Sequence, residues 1–391
     1  MKNFFYFIGA VLLCVILAGG IYVATQDNTK TPDNSQSSSS VEDEFDDSSN
    51  SGSTNTGNNS SGGGNTNSGT GNSGNTDSGN TDSGNSNSGN TDGGNMDSGN
   101  TEEDNALKNP TNASAYIASG LEMQSGAAIY LGEEEYEPAI RFTCNLSGAV
   151  KAEVDGNSNK ELAFLLAPVE YFDEVNPNNY TYMDWVTAFE KAGKTVIYSV
   201  LEEDNYYENG DDYLVRFRLQ NVMYKNINRN FVCMVVLKTT SGSSVTYKYS
   251  SYPAGVDYRS NARSVAYVAA ASLNAEALGM ASFSDEELAR LKGYINQSVD
   301  VANGKAEATD DGSMYAFTTN ITAPQSLSVG ETLTVITTIS PNVNVPVWYR
   351  SSDEAIIQVD DNGKVTAKAK STAVVGVYVA GESYGITVKV S

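Results

Sequence analysis

Between Gln26 and Asn105 the chain runs for 80 residues with Val41, Phe45 and Met96 as its only large apolar side chains. Such a tract has almost nothing to bury, so it cannot offset the conformational entropy of ordering itself. From Gly71 to Asn100 it repeats a five-residue unit close to Ser-Gly-Asn-Thr-Asp, with Asp77, Asp82, Asp92 and Asp97 in period. The unit has no apolar position, which argues against a stacked calcium-binding β-helix. The tract reads as a disordered linker, spanning roughly 50 Å as a flexible coil and about 260 Å when fully stretched.

Before it lies an apolar run, Phe4–Ala24, without a charged side chain. As a helix its 21 residues measure about 31 Å, close to the hydrocarbon thickness of a bilayer. Lys2 on the N-terminal side places that end in the cytoplasm and the rest outside. The rival reading is a cleaved signal peptide, with Ala18-Gly19-Gly20 offering small residues for the cut. Both readings export the remainder. Cys14, inside the run after Leu13, reads as an apolar filler, and no sorting signal follows the last strand, so residues 1–25 are taken as the anchor.

The formal charge is −24. The linker supplies 14 acidic residues and one Lys, which leaves −12 on the part after it once Lys2 is counted. An acidic chain with no basic cluster in its sequence argues against nucleic acid and anionic headgroups as partners. The absence of His removes Ser-His-Asp and Cys-His catalysis and the commonest zinc ligand. Cys144 and Cys233 each fall in an alternating strand pattern and read as buried thiols, with a disulfide left open.

Residues 106–303 read as an α+β domain, an antiparallel β core with about three helices. Strands are expected at Ala127–Leu131, Ala139–Leu146, Val150–Val154, Leu162–Ala167, Thr195–Leu201, Tyr213–Leu219, Phe231–Leu237 and Val245–Tyr249. Helices are expected at Tyr182–Ala192 with Thr181 as cap, at Asn261–Leu273, and at Leu288–Val299 behind a Ser284/Glu287 capping box. The stretch from Tyr247 to Ala271, with "YKYSSY" and "RSNARSVAYVAAA", resembles a module found in exported Gram-positive proteins, and "GAAIYL" with "AIRFTCNL" fits its start. That resemblance implies no activity.

Residues 316–391 carry a more specific pattern: Val329-Gly330-Glu331, Pro341, Ser351-Ser352-Asp353, and Val359-Asp360 leading to Asn362-Gly363-Lys364-Val365. This resembles the bacterial immunoglobulin-like domain, group 2, and implies an all-β sandwich used as a spacer, display unit or adhesin part. Tyr349 stands where the family usually has Trp, and Ser371 where Gly is common. Asn362-Gly363 suits a type I′ turn with φ > 0 at both positions. Ile357, Val359, Val365 and Val375 are expected inside, Tyr349 to need a partner for its hydroxyl, and Trp348 to point outward.

Glu133-Glu134-Glu135 with Glu137, and Glu202-Glu203-Asp204 before the Tyr206–Asp212 run, read as solvated hairpin loops. Neither has EF-hand spacing. Carboxylates such as Glu170 and Asp184 lie in no motif that would make them a glycosidase pair. Arg216 and Arg218 alternate with Val215 and Phe217 and read as the solvent face of a strand. Exposed aromatic rings beside amides and carboxylates grip sugars, which makes Tyr182, Trp185, Tyr206, Tyr207 and Trp348 candidate ligand-binding residues, against core packing as the alternative. The sequence implies no catalytic residue, metal or cofactor. It points to a membrane-anchored Gram-positive surface protein acting in display or adhesion, with a cell-wall or host glycan or a surface protein as partner. The alternative is a wall-associated hydrolase or its accessory subunit.

Overall fold

The computed structural model describes residues 113–131, 140–307, 312 and 314–391. The Phe4–Ala24 run, the Gln26–Asn105 linker and the Glu133–Glu137 cluster lie outside the described residues. Along the first domain come α1 (Ala113–Tyr116), β1 (Ile117–Met123), β2 (Ala128–Ile129), β3 (Ile140–Leu146), α2 (Gly148–Asp155), β4 (Lys160–Pro168), α3 (Val169–Val175), α4 (Trp185–Ala192) and β5 (Ile197–Val200). There follow β6 (Tyr206–Asn209), β7 (Asp212–Leu219), β8 (Phe231–Ser241), β9 (Ser244–Ser251), α5 (Tyr258–Asn261), α6 (Val265–Ala277) and α7 (Asp285–Ala302).

The strands form one sheet in the order β5-β4-β8-β9-β1-β3-β7-β6, with β2 beside β3. All pairs are antiparallel except β1 with β9. Its two edge strands, β5 and β6, are consecutive in the chain and joined by residues 201–205 alone. A flat sheet of this order would hold them about 34 Å apart, and the connection reaches only about 20 Å. The sheet therefore rolls on itself. Phe164 of β4 and Phe217 of β7, far apart in strand order, meet across the interior with ring centroids 5.1 Å apart. The α2 helix touches β1, β4 and β7, across one mouth of this open barrel.

Burial follows the pattern of the side chains. β4 is buried from Leu162 to Pro168 and β8 from Phe231 to Val236, because both of their faces are covered. Helices cover the outer face: Phe172 of α3 stands edge-on to Trp185 and Phe189 of α4 at 5.0 and 4.9 Å, and Trp185 edge-on to Tyr258 of α5 at 5.1 Å. β3 and β7 instead alternate buried with less buried positions, so their outer face is open.

Three expectations are corrected. Val150–Val154 lies inside α2, because Ser147 caps a helix there, its Oγ accepting the Val150 N–H at 3.4 Å. The helix expected at Tyr182 starts at Trp185, since Asp184 rather than Thr181 is the cap, accepting the Thr187 N–H at 3.2 Å. Asn261–Leu273 divides into α5 and α6, the latter opened by Ser264, whose Oγ accepts the Tyr267 N–H at 3.0 Å. The Ser284/Glu287 capping box stands as expected, at 3.2 and 2.8 Å. Cys144 and Cys233 are buried free thiols.

The second domain contains β10 (Ala316–Thr319), β11 (Gln325–Leu327), β12 (Thr332–Thr334), β13 (Thr337–Ser340), β14 (Val347–Ser351), β15 (Ile357–Val359), β16 (Lys364–Ala367), β17 (Ser371–Val379) and β18 (Glu382–Val390). β10 pairs with β13, and β16 lies between β12 and β15, antiparallel to both. On the other side β14, β17 and β18 pair in order, with β11 parallel to β18. This is the pairing of an immunoglobulin-like sandwich. Ile357, Val365 and Val375 are fully buried, while Val359 is partly buried against them. Buried Tyr349 donates its hydroxyl proton to Thr337 Oγ1 at 2.9 Å. The Asn362-Gly363 turn is corrected: only Gly363 has positive φ (75°), and Asp360 Oδ1 accepts from the N–H groups of Asn362 and Lys364.

The two domains share buried surface. α6 is Ala-rich and buried along almost its whole length, which needs partners on every side. It touches β2 and α7 of the barrel domain and β17 and β18 of the sandwich. Val345, Val379 and Ala380 of the sandwich belong to the same apolar cluster as the barrel core. The flexible joint expected at Ala302–Ser313 has anchored flanks: Lys305 pairs with buried Asp300 at 2.6 Å, and the Tyr315 hydroxyl bonds to Ser298.

Candidate binding site at the barrel seam

Where β5 and β6 approach, α2 leaves a cleft of about 200 Å³ lined by Lys151, Asp155, Lys160, Glu161, Glu203 and Tyr206, with Leu162 and Leu201 as apolar wall. Its geometry begins at Ser147-Gly148. The Gly148 N–H donates to Asp212 Oδ1 at 3.0 Å, and a Cβ at Gly148 would run into the Asp211 carbonyl oxygen. The start of α2 is thereby pinned to the β6–β7 turn. One turn on, Lys151 Nζ donates to both carboxylate oxygens of Asp155, at 2.8 and 2.7 Å. The same ammonium sits 4.5 Å from the Tyr206 ring centroid and 5.9 Å from that of Tyr213. These two rings meet edge-to-face at 6.2 Å.

Lys151 is 10% exposed, so a carboxylate and two ring faces replace the water it has lost. Burial pushes the Tyr206 phenol up to about 12, helped by the Asp155 and Glu203 carboxylates nearby. Across the cleft Glu161 takes Lys238 at 3.3 Å and the Tyr198 hydroxyl at 3.4 Å, while Lys160 pairs with Glu153. Two ammonium groups and three carboxylates thus line the cleft beside the Tyr206 ring. This arrangement offers donors and acceptors to a polar ligand. Among the described residues no group of three His, Cys, Asp or Glu side chains could hold a metal ion.

The candidate residues read from the sequence separate here. Tyr206 lines the cleft. Tyr207 follows it in β6 and lies on the opposite face, its ring 4.2 Å from Arg216 Cζ. Tyr182 and Trp185 belong to the core, 9% and 0% exposed, which takes them off the aromatic shelf that the sequence suggested. The Tyr182 hydroxyl accepts the Tyr252 N–H at 3.0 Å. Trp348 is half-buried on the sandwich, with Arg350 Cζ 5.5 Å from its ring. Asp184 caps α4 and accepts the Tyr249 hydroxyl proton at 3.0 Å, and Glu170 pairs with Arg229. Lys151 and Asp155 escaped the sequence reading because α2 was taken for a strand, and Glu161 because it stands at the start of β4, ahead of the apolar run that marked that strand. The Ser147 cap and the Lys151/Asp155 spacing of four were the available signals.

No protein-family model matches the chain, and no curated protein does. Among solved structures, a chimeric titin Z1Z2–Z1Z2 tandem carrying a GRGDS peptide from fibronectin is 10% identical, covering 70% of this chain and 96% of that one, with a TM-score of 0.14. Dpr2 Ig1–Ig2 in complex with DIP-Theta Ig1–Ig3 is 7% identical over 70% and 95%, at 0.17. The four N-terminal Ig domains of Dscam1 are 8% identical over 69% and 50%, at 0.16. At such scores these likenesses carry no argument. The immunoglobulin-like assignment rests on the strand pairing of the sandwich itself.

Proposed function

We propose that this chain is a non-catalytic surface protein, held to the membrane by Phe4–Ala24 and extended by the acidic linker, that binds a glycan through the barrel seam. The observation that carries this reading is Tyr206, fixed between Lys151 and the Asp155 and Glu203 carboxylates in a cleft lined by both ammonium and carboxylate groups. Sugar hydroxyls both donate and accept, so a lining of ammonium donors and carboxylate acceptors matches them. The sandwich is assigned to the bacterial immunoglobulin-like group 2, supported by its motif residues at structural turning points: Gly330 at φ 89° and Gly363 at φ 75°. Glycan-array binding by the full chain tests the reading. Tyr206→Ala is expected to weaken binding at least about tenfold, the scale of losing a central aromatic contact. Failure to bind glycans, peptidoglycan or matrix proteins would leave only a spacer role.

The hydrolase alternative is supported by one observation, Asp155 and Glu203 flanking the same phenol. Release of reducing ends from wall glycan, abolished by Glu203→Gln, would establish it in place of binding alone.

A further inference from the structure

An asparagine followed by glycine is open to loss of its side-chain amide, because glycine has no side chain to shield its backbone nitrogen. The chain has three such pairs, Asn209-Gly210, Asn303-Gly304 and Asn362-Gly363. The fold treats them differently. Gly363 is buried, and its N–H donates to the Asp360 carbonyl at 3.0 Å. At the end of α7 the Gly304 N–H donates to the Val301 carbonyl at 3.0 Å, and the Asn303 N–H to that of Val299 at 3.0 Å. Asn209-Gly210 instead stands at the tip of the β6–β7 hairpin, with both residues exposed. Gly210 has φ 66° and open space around it. Among the described residues its N–H meets no acceptor, and the Asn209 side chain has no hydrogen-bond partner.

We propose that Asn209 is a site of spontaneous deamidation and isoaspartate formation, with water as the co-reactant. The Gly210 nitrogen gives its proton to hydroxide and bonds to Asn209 Cγ. The Cγ–Nδ2 bond breaks, water protonates the departing nitrogen, and ammonia leaves behind a cyclic imide. Water opens that ring at Cγ to give aspartate, or at the backbone carbonyl to give isoaspartate. Ring closure asks the Asn209–Asp212 pair to open, and it is the last rung of its ladder, where opening costs least. In the other two pairs a glycine hydrogen bond must break as well. The product sets a new carboxylate beside Asp211 and Asp212, and isoaspartate adds a methylene to the backbone of the turn. Asp212 Oδ1 holds the Gly148 N–H at the start of α2, so the modification falls on the turn that pins the helix at the seam.

Peptide mapping by mass spectrometry, on the full chain aged in mildly alkaline buffer with and without denaturant, is the test. Each native rate is read against the denatured rate of the same asparagine, which removes the effect of flanking sequence. On that scale Asn209 is expected to exceed Asn303 and Asn362 about tenfold, the scale of one backbone hydrogen bond that need not break. Enzymatic methylation of isoaspartate is expected in the Asn209 peptide. Asn209→Gln, with an unfolding midpoint equal to the parent chain's, is expected to leave that peptide unmodified. The proposal is overturned if the native fold protects Asn209 as strongly as either of the others. It is equally overturned if the Asn209 peptide yields no isoaspartate, or if its mass gain persists in the Gln variant.

Discussion

The Gly381 N–H donates to Asn274 Oδ1 at 2.9 Å, across the boundary between barrel domain and sandwich. Asn274 is fully buried, and its Nδ2 turns to the Pro346 and Tyr378 carbonyls at 3.2 and 3.4 Å. One side chain of α6 therefore satisfies three backbone groups of the sandwich. The Ala380–Gly381 turn seats on Leu273, where a Cβ at Gly381 would come to 3.3 Å from the Leu273 Cβ.

Asn274→Ala leaves those backbone groups without partners in a buried contact, each at a cost on the order of 1–3 kcal/mol. Calorimetry of the full chain is expected to show one joint transition in the parent and two in the variant. A single unshifted transition would refute the coupling.

Gly363→Ala is expected to cost the sandwich more than about 1 kcal/mol. Its φ is 75°, and a Cβ there would strike the Val335 carbonyl oxygen and approach the Tyr349 ring to 3.0 Å. Gly330→Ala, at φ 89° with open space around it, carries only the backbone strain and should cost less. Denaturant midpoints of the two variants decide this, and equal losses would remove the steric part of the argument.

At alkaline pH the fold should weaken, and the sign follows from Tyr206. Its phenol moves from the ordinary 10.0 to about 12. Between those values the folded chain keeps a proton that the unfolded chain has released, so stability falls as pH rises through the window. The Tyr315 phenol, pushed by burial to about 12, acts in the same direction. Tyr206→Phe is expected to make the decline shallower across that window. An identical slope in parent and variant counts against it.

Cys144 and Cys233 should resist a thiol reagent until the chain unfolds. Both are buried, and burial pushes their thiols well above the ordinary range, so little reactive thiolate forms at neutral pH. Labelling rates with and without denaturant measure this; rapid labelling of the native chain would contradict the burial.

Local chemistry made much of the fold legible in the sequence. Alternation in Ala139–Leu146 and Tyr213–Leu219 marked half-exposed strands, and the Ser284/Glu287 box marked a helix start. The α2 helix was missed because Val150, Ala152 and Val154 alternate like a strand, while the features that decide it are the Ser147 cap and the Asp212 contact, the latter non-local. Trp185 and Tyr182 were offered as surface rings because composition does not tell which face the helices cover. Register has the same effect: Arg141 and Arg218 are far apart in the chain and become neighbours only when β3 meets β7. The apolar surround of α6 was visible as a run of Ala, but Asn274 within it gave no sign of the domain that it would hold.

The rolled sheet also bears on behaviour at high concentration. An open sheet exposes unpaired backbone along two edges, each a template for another chain. Here β5 and β6 turn toward each other over a connection of five residues, and α2 lies against the gap. The barrel domain thus shields its edges with its own elements, so crowded copies gain little by joining strand to strand.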